Sequence, residues 1–126
     1  MAKRLPRSFH CATEFTLAVL GGKWKTVILC YLSERPFRYS ELRKLMPSVS
    51  DKVLTERLRD LLSSGLIAHR KDSGRASSGT YMLAAKGRSL SDVLRRLYYW
   101  GLEHAPEFDV EVGEPLKGLD RGRARR

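Results

Sequence analysis

Ser50, Asp51, Lys52, Thr55, Glu56 and Arg59 crowd into the stretch SVSDKVLTERLRDLLSSGL, residues 48 to 66. Each suits contact with a nucleic-acid groove in its own way. A lysine donates to guanine O6 or N7, a threonine bonds a base edge or touches a thymine methyl, and a glutamate accepts from cytosine N4. Arg59, farther along, is better placed for phosphate. At about 100° per residue, Leu54, Leu58 and Leu61 fall together with Leu62 at the margin, while Lys52, Glu56, Arg59 and Ser63 point the other way. Ser50 reads as the N-cap, and Asp51 is well placed against the helix dipole. A wetted surface helix has the same two faces, so the surroundings must decide.

The other reactive side chains are sparse. Cys11 follows His10 and lies near Arg7 at the start of an apolar segment, where positive charge and the helix dipole favour a thiolate. Cys30, within TVILCYL, reads as inert core. Two cysteines are too few for a disulfide framework, and with His10, His69 and His104 they show no metal-ligand spacing. LGGKW looks like a phosphate loop, but Trp24 follows Lys23 where Ser or Thr is required. No histidine is placed to act as a base for Cys11, so the chain reads as no enzyme, with no cofactor and no metal.

The charge names the class of partner. The 126 residues carry a net charge of +10, and residues 105 to 126 hold five basic and five acidic residues, so the whole excess sits on residues 1 to 104. A basic folded domain suggests a polyanion, nucleic acid before an anionic membrane. No apolar run is long enough to span a bilayer, and the first ten residues lack a signal-peptide core, which places the protein in the cytoplasm.

Helical periodicity positions these groups. Cys11 to Leu20 reads as a helix closed by Gly21-Gly22, and Trp24 opens a second with the stripe Trp24, Val27, Ile28, Tyr31 and Leu32. Pro36 stops it and holds Arg35 extended. A two-turn helix from about Tyr39 to Met46 should bury Leu42 and Leu45, with Arg38 just ahead of it as a further DNA contact. After Gly65, LIAHRK and TYML are short strands around DSGRASSG, a hairpin whose Arg70, Lys71 and Arg75 suit phosphate or a narrow minor groove. Ala85 to about His104 reads as one long helix, and residues 105 to 126 as a disordered charged tail. The fold class is therefore mainly α with a small β-hairpin wing, a winged helix-turn-helix, with residues 1 to 104 as its one domain.

GGKWK at 21 to 25, RPFRYSELRKLMPSVSDKVLTERLRDLLSSGLI at 35 to 67, TYMLAAKGRSL at 80 to 90 and YYWGLEH at 98 to 104 together resemble the HxlR family of winged helix-turn-helix transcriptional regulators. The likeness spans roughly residues 11 to 104, with several motifs in the family's order. It implies a homodimer built from the N- and C-terminal helices, binding double-stranded inverted-repeat DNA, with repression favoured over activation. Leu90, Leu94, Leu97 and Trp100 are the expected dimer interface. Cys11 matches the position of a cysteine that in some such proteins senses oxidants or electrophiles, and a plain interfacial side chain is the alternative. A winged-helix module that binds nucleic acid or protein without a thiol switch is the alternative function. Ala84 stands where the family usually has a capping Thr, Ser48 where it often has Gly, and ASSG where Pro is common before the second wing strand.

Overall fold

The computed structural model of the chain describes residues 5–71 and 79–113. Helix α1 (Ala12–Leu20) leads into α2 (Lys25–Glu34) through a bend of 84°. Gly21 packs against the end of α1, where an added Cβ would stand 2.9 Å from the Leu17 carbonyl oxygen. Trp24 then takes a left-handed conformation, φ 82°, and opens α2. No single helix among the described residues is long and apolar enough to cross a membrane.

Pro36 ends α2 as expected, leaving Arg35 extended. The chain then forms β1 (Phe37–Arg38), a strand that no periodicity announced. In α3 (Tyr39–Leu45) the Arg38 amide donates to Glu41 Oε1 at 2.9 Å, which satisfies the helix start and holds the Glu41 carboxyl below its usual range. Leu42 is buried, but Leu45 is 38% exposed, contrary to expectation. The inward stripe steps four residues, from Leu42 to the buried Met46, and so turns Leu45 outward.

Helix α4 (Asp51–Ser63) begins at Ser50, whose Oγ accepts from the Val53 amide at 3.1 Å. It ends in a Schellman motif: the Leu66 amide reaches the Leu61 carbonyl and the Gly65 amide the Leu62 carbonyl, both at 3.1 Å, with Gly65 at φ +78°. Leu66 enters the core, and β2 (Ile67–Lys71) follows at once.

Strands β2 and β3 (Gly79–Leu83) pair antiparallel, and β1 adds to the far side of β3, giving the order β1-β3-β2. The single core gathers α2, α3, α4, the sheet and the last helix around Ile28, Leu29, Phe37, Leu42, Leu54, Leu58, Leu61 and Leu94.

The segment from Ala85 to His104 is not one helix. It forms α5 (Ala85–Arg88) and α6 (Ser91–His104). Two contacts account for the break. The Ala84 amide bonds the Leu66 carbonyl at 2.9 Å, pinning α5 against the start of β2, and the Ser89 hydroxyl turns back onto the Lys86 carbonyl. Ala84 supplies no side-chain cap. Beyond α6, Ala105–Phe108 form a 3-10 turn, so the segment expected to be structureless from residue 105 starts with local order; residues 114–126 lie outside the described residues.

Gly87 makes the tightest of these approaches, since a Cβ there would stand 2.0 Å from the Leu66 carbonyl oxygen. Gly87→Ala must push α5 away from β2 and is expected to destabilise the protein by about 1–3 kcal/mol, the usual cost of overpacking. Urea denaturation at one fixed protein concentration measures it, and an unchanged midpoint refutes it.

Candidate DNA-binding surface

Burial of Leu54, Leu58 and Leu61 leaves one side of α4 facing outward. On that side Lys52, Thr55 and Arg59 are exposed, as the leucine spacing predicts, whereas Glu56, expected to point the same way, is half-buried. Lys52 and Thr55 lie in the leading half of the helix and Arg59 a turn farther back. The exposed Ser50 has its Oγ committed to the cap.

Asp51 belongs to a different set of contacts. Its Oδ1 accepts from Arg43 Nε at 2.9 Å and from the Tyr39 hydroxyl at 2.6 Å. Arg43 also donates through Nη1 to the Met46 carbonyl at 3.2 Å and to the Val49 carbonyl. Tyr39 and Arg43 are one helical turn apart on α3 and together reach over the turn to the first residue of α4. Desolvation, and then the bond to Asp51, raise the Tyr39 pKa, in keeping with a hydroxyl that donates to that carboxylate. The carboxylate expected to face DNA is thus occupied within the chain. Neither Tyr39 nor Arg43 was a candidate from the sequence.

Strand register gathers further basic residues. Arg38 on β1 and Arg70 on β2 both pair with Thr80 of β3, so the three side chains form a row on one face of the sheet. Arg38 and Arg70 are exposed. Phe37, Tyr81 and His69 form the adjacent row on the opposite face, with the His69 and Tyr81 rings stacked at 4.3 Å. Lys71, one residue beyond Arg70, points to that second face. Arg75 lies outside the described residues.

A tie links this surface to the N-terminal part of the chain. Arg57 Nε, on the flank of α4, donates to the Lys23 carbonyl at 3.1 Å, and Lys23 lies over the Trp24 ring.

The expected dimer residues divide between two faces of α6. Leu94 is buried in the core of the chain, and Leu90 packs against the same core with Tyr98. The outward stripe is instead Val93, Leu97 and Trp100, which are 40%, 47% and 57% exposed. The helical period explains the division, because Leu90, Leu94 and Tyr98 follow one another at four-residue steps while Val93, Leu97 and Trp100 lie on the neighbouring side. Arg95 on α6 also pairs with Glu34 on α2 at 3.3 Å. On α1, Leu20 is the buried residue, whereas Phe15 and Leu17 are exposed.

Cys11 is the N-cap residue of α1 and is exposed. Its sulfur makes no capping hydrogen bond, but the Thr13 amide, then the Thr13 hydroxyl and the Glu14 amide, face it at the start of α1 and hold its pKa below the ordinary thiol value. The helix start is the cause, rather than the charge of Arg7 and His10. Cys30 is the opposite case, pushed up to about 11 first by burial and then by Glu34. Among the described residues, no group of three or more His, Cys, Asp or Glu side chains could hold a metal ion.

Residues 19–109 match the family model described as HxlR-like helix-turn-helix. The chain is 41% identical over 98 residues to YtcD of Bacillus subtilis (strain 168), an uncharacterized HTH-type transcriptional regulator, covering 78% of each protein. Among solved structures it is similar to the redox regulator HypR in its reduced form, with a TM-score of 0.75 and 28% identity over 79% of this chain and 98% of that one. It is also similar to the reduced form of the transcriptional regulator YodB from B. subtilis, with a TM-score of 0.63 and 26% identity over 74% and 92%. The match supports the winged-helix architecture across the surface described above. Cys11 precedes the matched span.

The two thiols should titrate far apart. A lowered pKa supplies thiolate at lower pH and a raised one withholds it, so iodoacetamide should label Cys11 with a midpoint below pH 9.0 and Cys30 only as the pH nears 11. Mass spectrometry across a pH series reads both sites, and equal labelling at pH 8, roughly the model thiol range, counts against this assignment.

Proposed function

The chain belongs to the HxlR-like helix-turn-helix family and is a transcriptional regulator of that type, not an enzyme; on that premise we propose that it binds inverted-repeat operator DNA as a homodimer and represses transcription in the cytoplasm. The observation that carries the reading is the outward face of α4. Lys52, Thr55 and Arg59 stand there together, next to a sheet that presents Arg38 and Arg70 in one row. Such a helix enters the major groove, with its N-terminal residues toward base edges, while the basic wing follows the backbone. Lys52, Thr55 and Glu56 are the proposed readers. Arg38, Arg59, Arg70, Lys71 and Arg75 are the proposed phosphate contacts, and Ser50 and Asp51 shape the leading end of the helix.

Dimerisation follows from the apolar surface. The outward stripe of α6, Val93, Leu97 and Trp100, and Phe15 and Leu17 on α1 are large exposed apolar side chains, and these gain most from a second copy. Two α4 helices then address half-sites about 34 Å apart, one helical turn, or a multiple of it. A dimer seated across two grooves blocks access to the DNA by occupancy alone, which favours repression.

Cys11 is the proposed point of control. It is exposed, its thiolate is favoured, and it leads α1, the helix that carries Phe15 and Leu17. An oxidant or small electrophile that modifies it would act beside the proposed interface and alter the spacing of the two recognition helices. HypR carries the description redox regulator, which supports this assignment by likeness.

Selection from a random duplex pool at moderate salt should enrich an inverted repeat, and failure to enrich one refutes the function. Diamide or a quinone should release the selected DNA from the wild-type protein and not from Cys11→Ser. Equal release from both would remove the thiol switch while leaving the DNA-binding function intact. Leu97→Glu together with Trp100→Glu should convert the dimer to monomer in sedimentation velocity and abolish operator binding, with the monomer still folded by circular dichroism. A dimer that persists would place the interface elsewhere.

A further inference from the structure

We propose that Asp51 is a positioning residue of the DNA-binding surface: clamped by Arg43 and Tyr39, its carboxylate fixes the direction in which the first turn of α4 meets the groove, and it reads no base. The proposal rests on the DNA-binding function above and deepens it.

Three observations converge on it. Two polar contacts that cross from α3 to α4, 2.9 Å from Arg43 Nε and 2.6 Å from the Tyr39 hydroxyl, end on the same oxygen, Asp51 Oδ1. Arg43 also holds the turn itself, through the Met46 and Val49 carbonyls, so one guanidinium fixes both the connection and the helix it delivers. Tyr39 and Arg43 stand one helical turn apart on α3, so the carboxylate is gripped from two points along that helix.

Charge gives the clamp a second task. A bare carboxylate at the leading end of α4 suits the helix dipole but would repel the phosphates on either side of a groove. Paired with Arg43, Asp51 presents a locally neutral group there. The Asp51 side chain is 72% exposed, and ion pairs so exposed add little to stability. Orientation is therefore what the pair supplies.

The experiment measures binding to the selected operator and to a scrambled duplex by fluorescence anisotropy over a KCl series. Wild type is measured first, and binding to neither duplex overturns the DNA-binding function and this proposal with it. Asp51→Ala should lower the operator-to-scrambled ratio by about tenfold, with every operator position weakened alike. Tyr39→Phe should lower it less, and Tyr39→Phe combined with Asp51→Ala should lose no more than Asp51→Ala alone, because the two act through one contact. The slope of log affinity against log salt should steepen by no more than about 0.9, the share of the one Arg43 cation that the substitution unpairs, and should not become shallower, since no phosphate contact is removed. Asp51→Asn, whose amide oxygen can still accept from both donors, should stay within about threefold of wild type. Because Asp51 is exposed, the melting temperature of Asp51→Ala should stay close to wild type, which separates orientation from folding.

Two results overturn the proposal. Relaxed preference at a single operator position, with Asp51→Asn shifting it toward adenine, makes Asp51 a base reader. An operator-to-scrambled ratio unchanged in Asp51→Ala removes its role.

Discussion

Leu54, Leu58 and Leu61, each 2% exposed or less, set the rotation of α4 about its own axis, and every statement about the outward face follows from that rotation. Full burial of a leucine contributes about 1.5–3 kcal/mol, whereas an exposed ion pair adds about 0–1 kcal/mol. Turning α4 enough to hide Lys52 or Arg59 would expose leucines at a cost that no surface contact offsets. The polar contacts around Asp51 then act within an orientation already chosen. They trim the angle of the first turn and leave the identity of the face alone.

The same hierarchy governs the rest of the domain. The Schellman motif at Gly65 sends Leu66 into the core, and the Leu66 carbonyl receives both the Ala84 amide and the close approach of Gly87. One backbone carbonyl thus joins the end of the recognition helix, the base of the wing and the start of the C-terminal helices. Position 87 admits glycine for a steric reason quite apart from its φ. Because α6 begins from this fixed point, its inner side reaches Cys30 and Tyr31 of α2 while Val93, Leu97 and Trp100 are left outside.

Local signals carried most of the architecture. The leucine period, Ser50, Pro36, the paired glycines and Gly65 each announce a boundary through chemistry within a few residues, and each boundary is found there. Long-range contacts carried what the sequence hid. Strand β1 is two residues long, too short for any period, and exists because Phe37 and Arg38 meet Tyr81 and Thr80 more than forty residues away. The break between α5 and α6 depends on the Ala84 amide meeting the Leu66 carbonyl, which no helical pattern records. At the surface, side-chain types made Lys52, Thr55 and Arg59 candidates, and the structure leaves all three exposed. The engagement of Asp51 depends on the shape of the turn after α3, and the alignment of Arg38 with Arg70 depends on strand register. The apolar stripe of the last helix was legible as a stripe, but its division between core and surface was not, because four-residue and three-residue steps from Leu90 look equally apolar on paper.

Helix α1 stands at 84° to α2 on a hinge of two glycines, and the carbonyl just past that hinge is held by Arg57 of α4. In mechanical terms α1 is a lever whose fulcrum touches α4. A displacement at its free end, where Cys11 lies, reaches the body by two routes: through Leu20 into a close-packed core that resists compression, and through Lys23 onto the flank of α4. The two attachments resist unequally: the packed side chains around Leu20 bear most of any load on α1, and the single hydrogen bond to Arg57 bears the smaller share, tying the flank of α4 to the hinge without stiffening it.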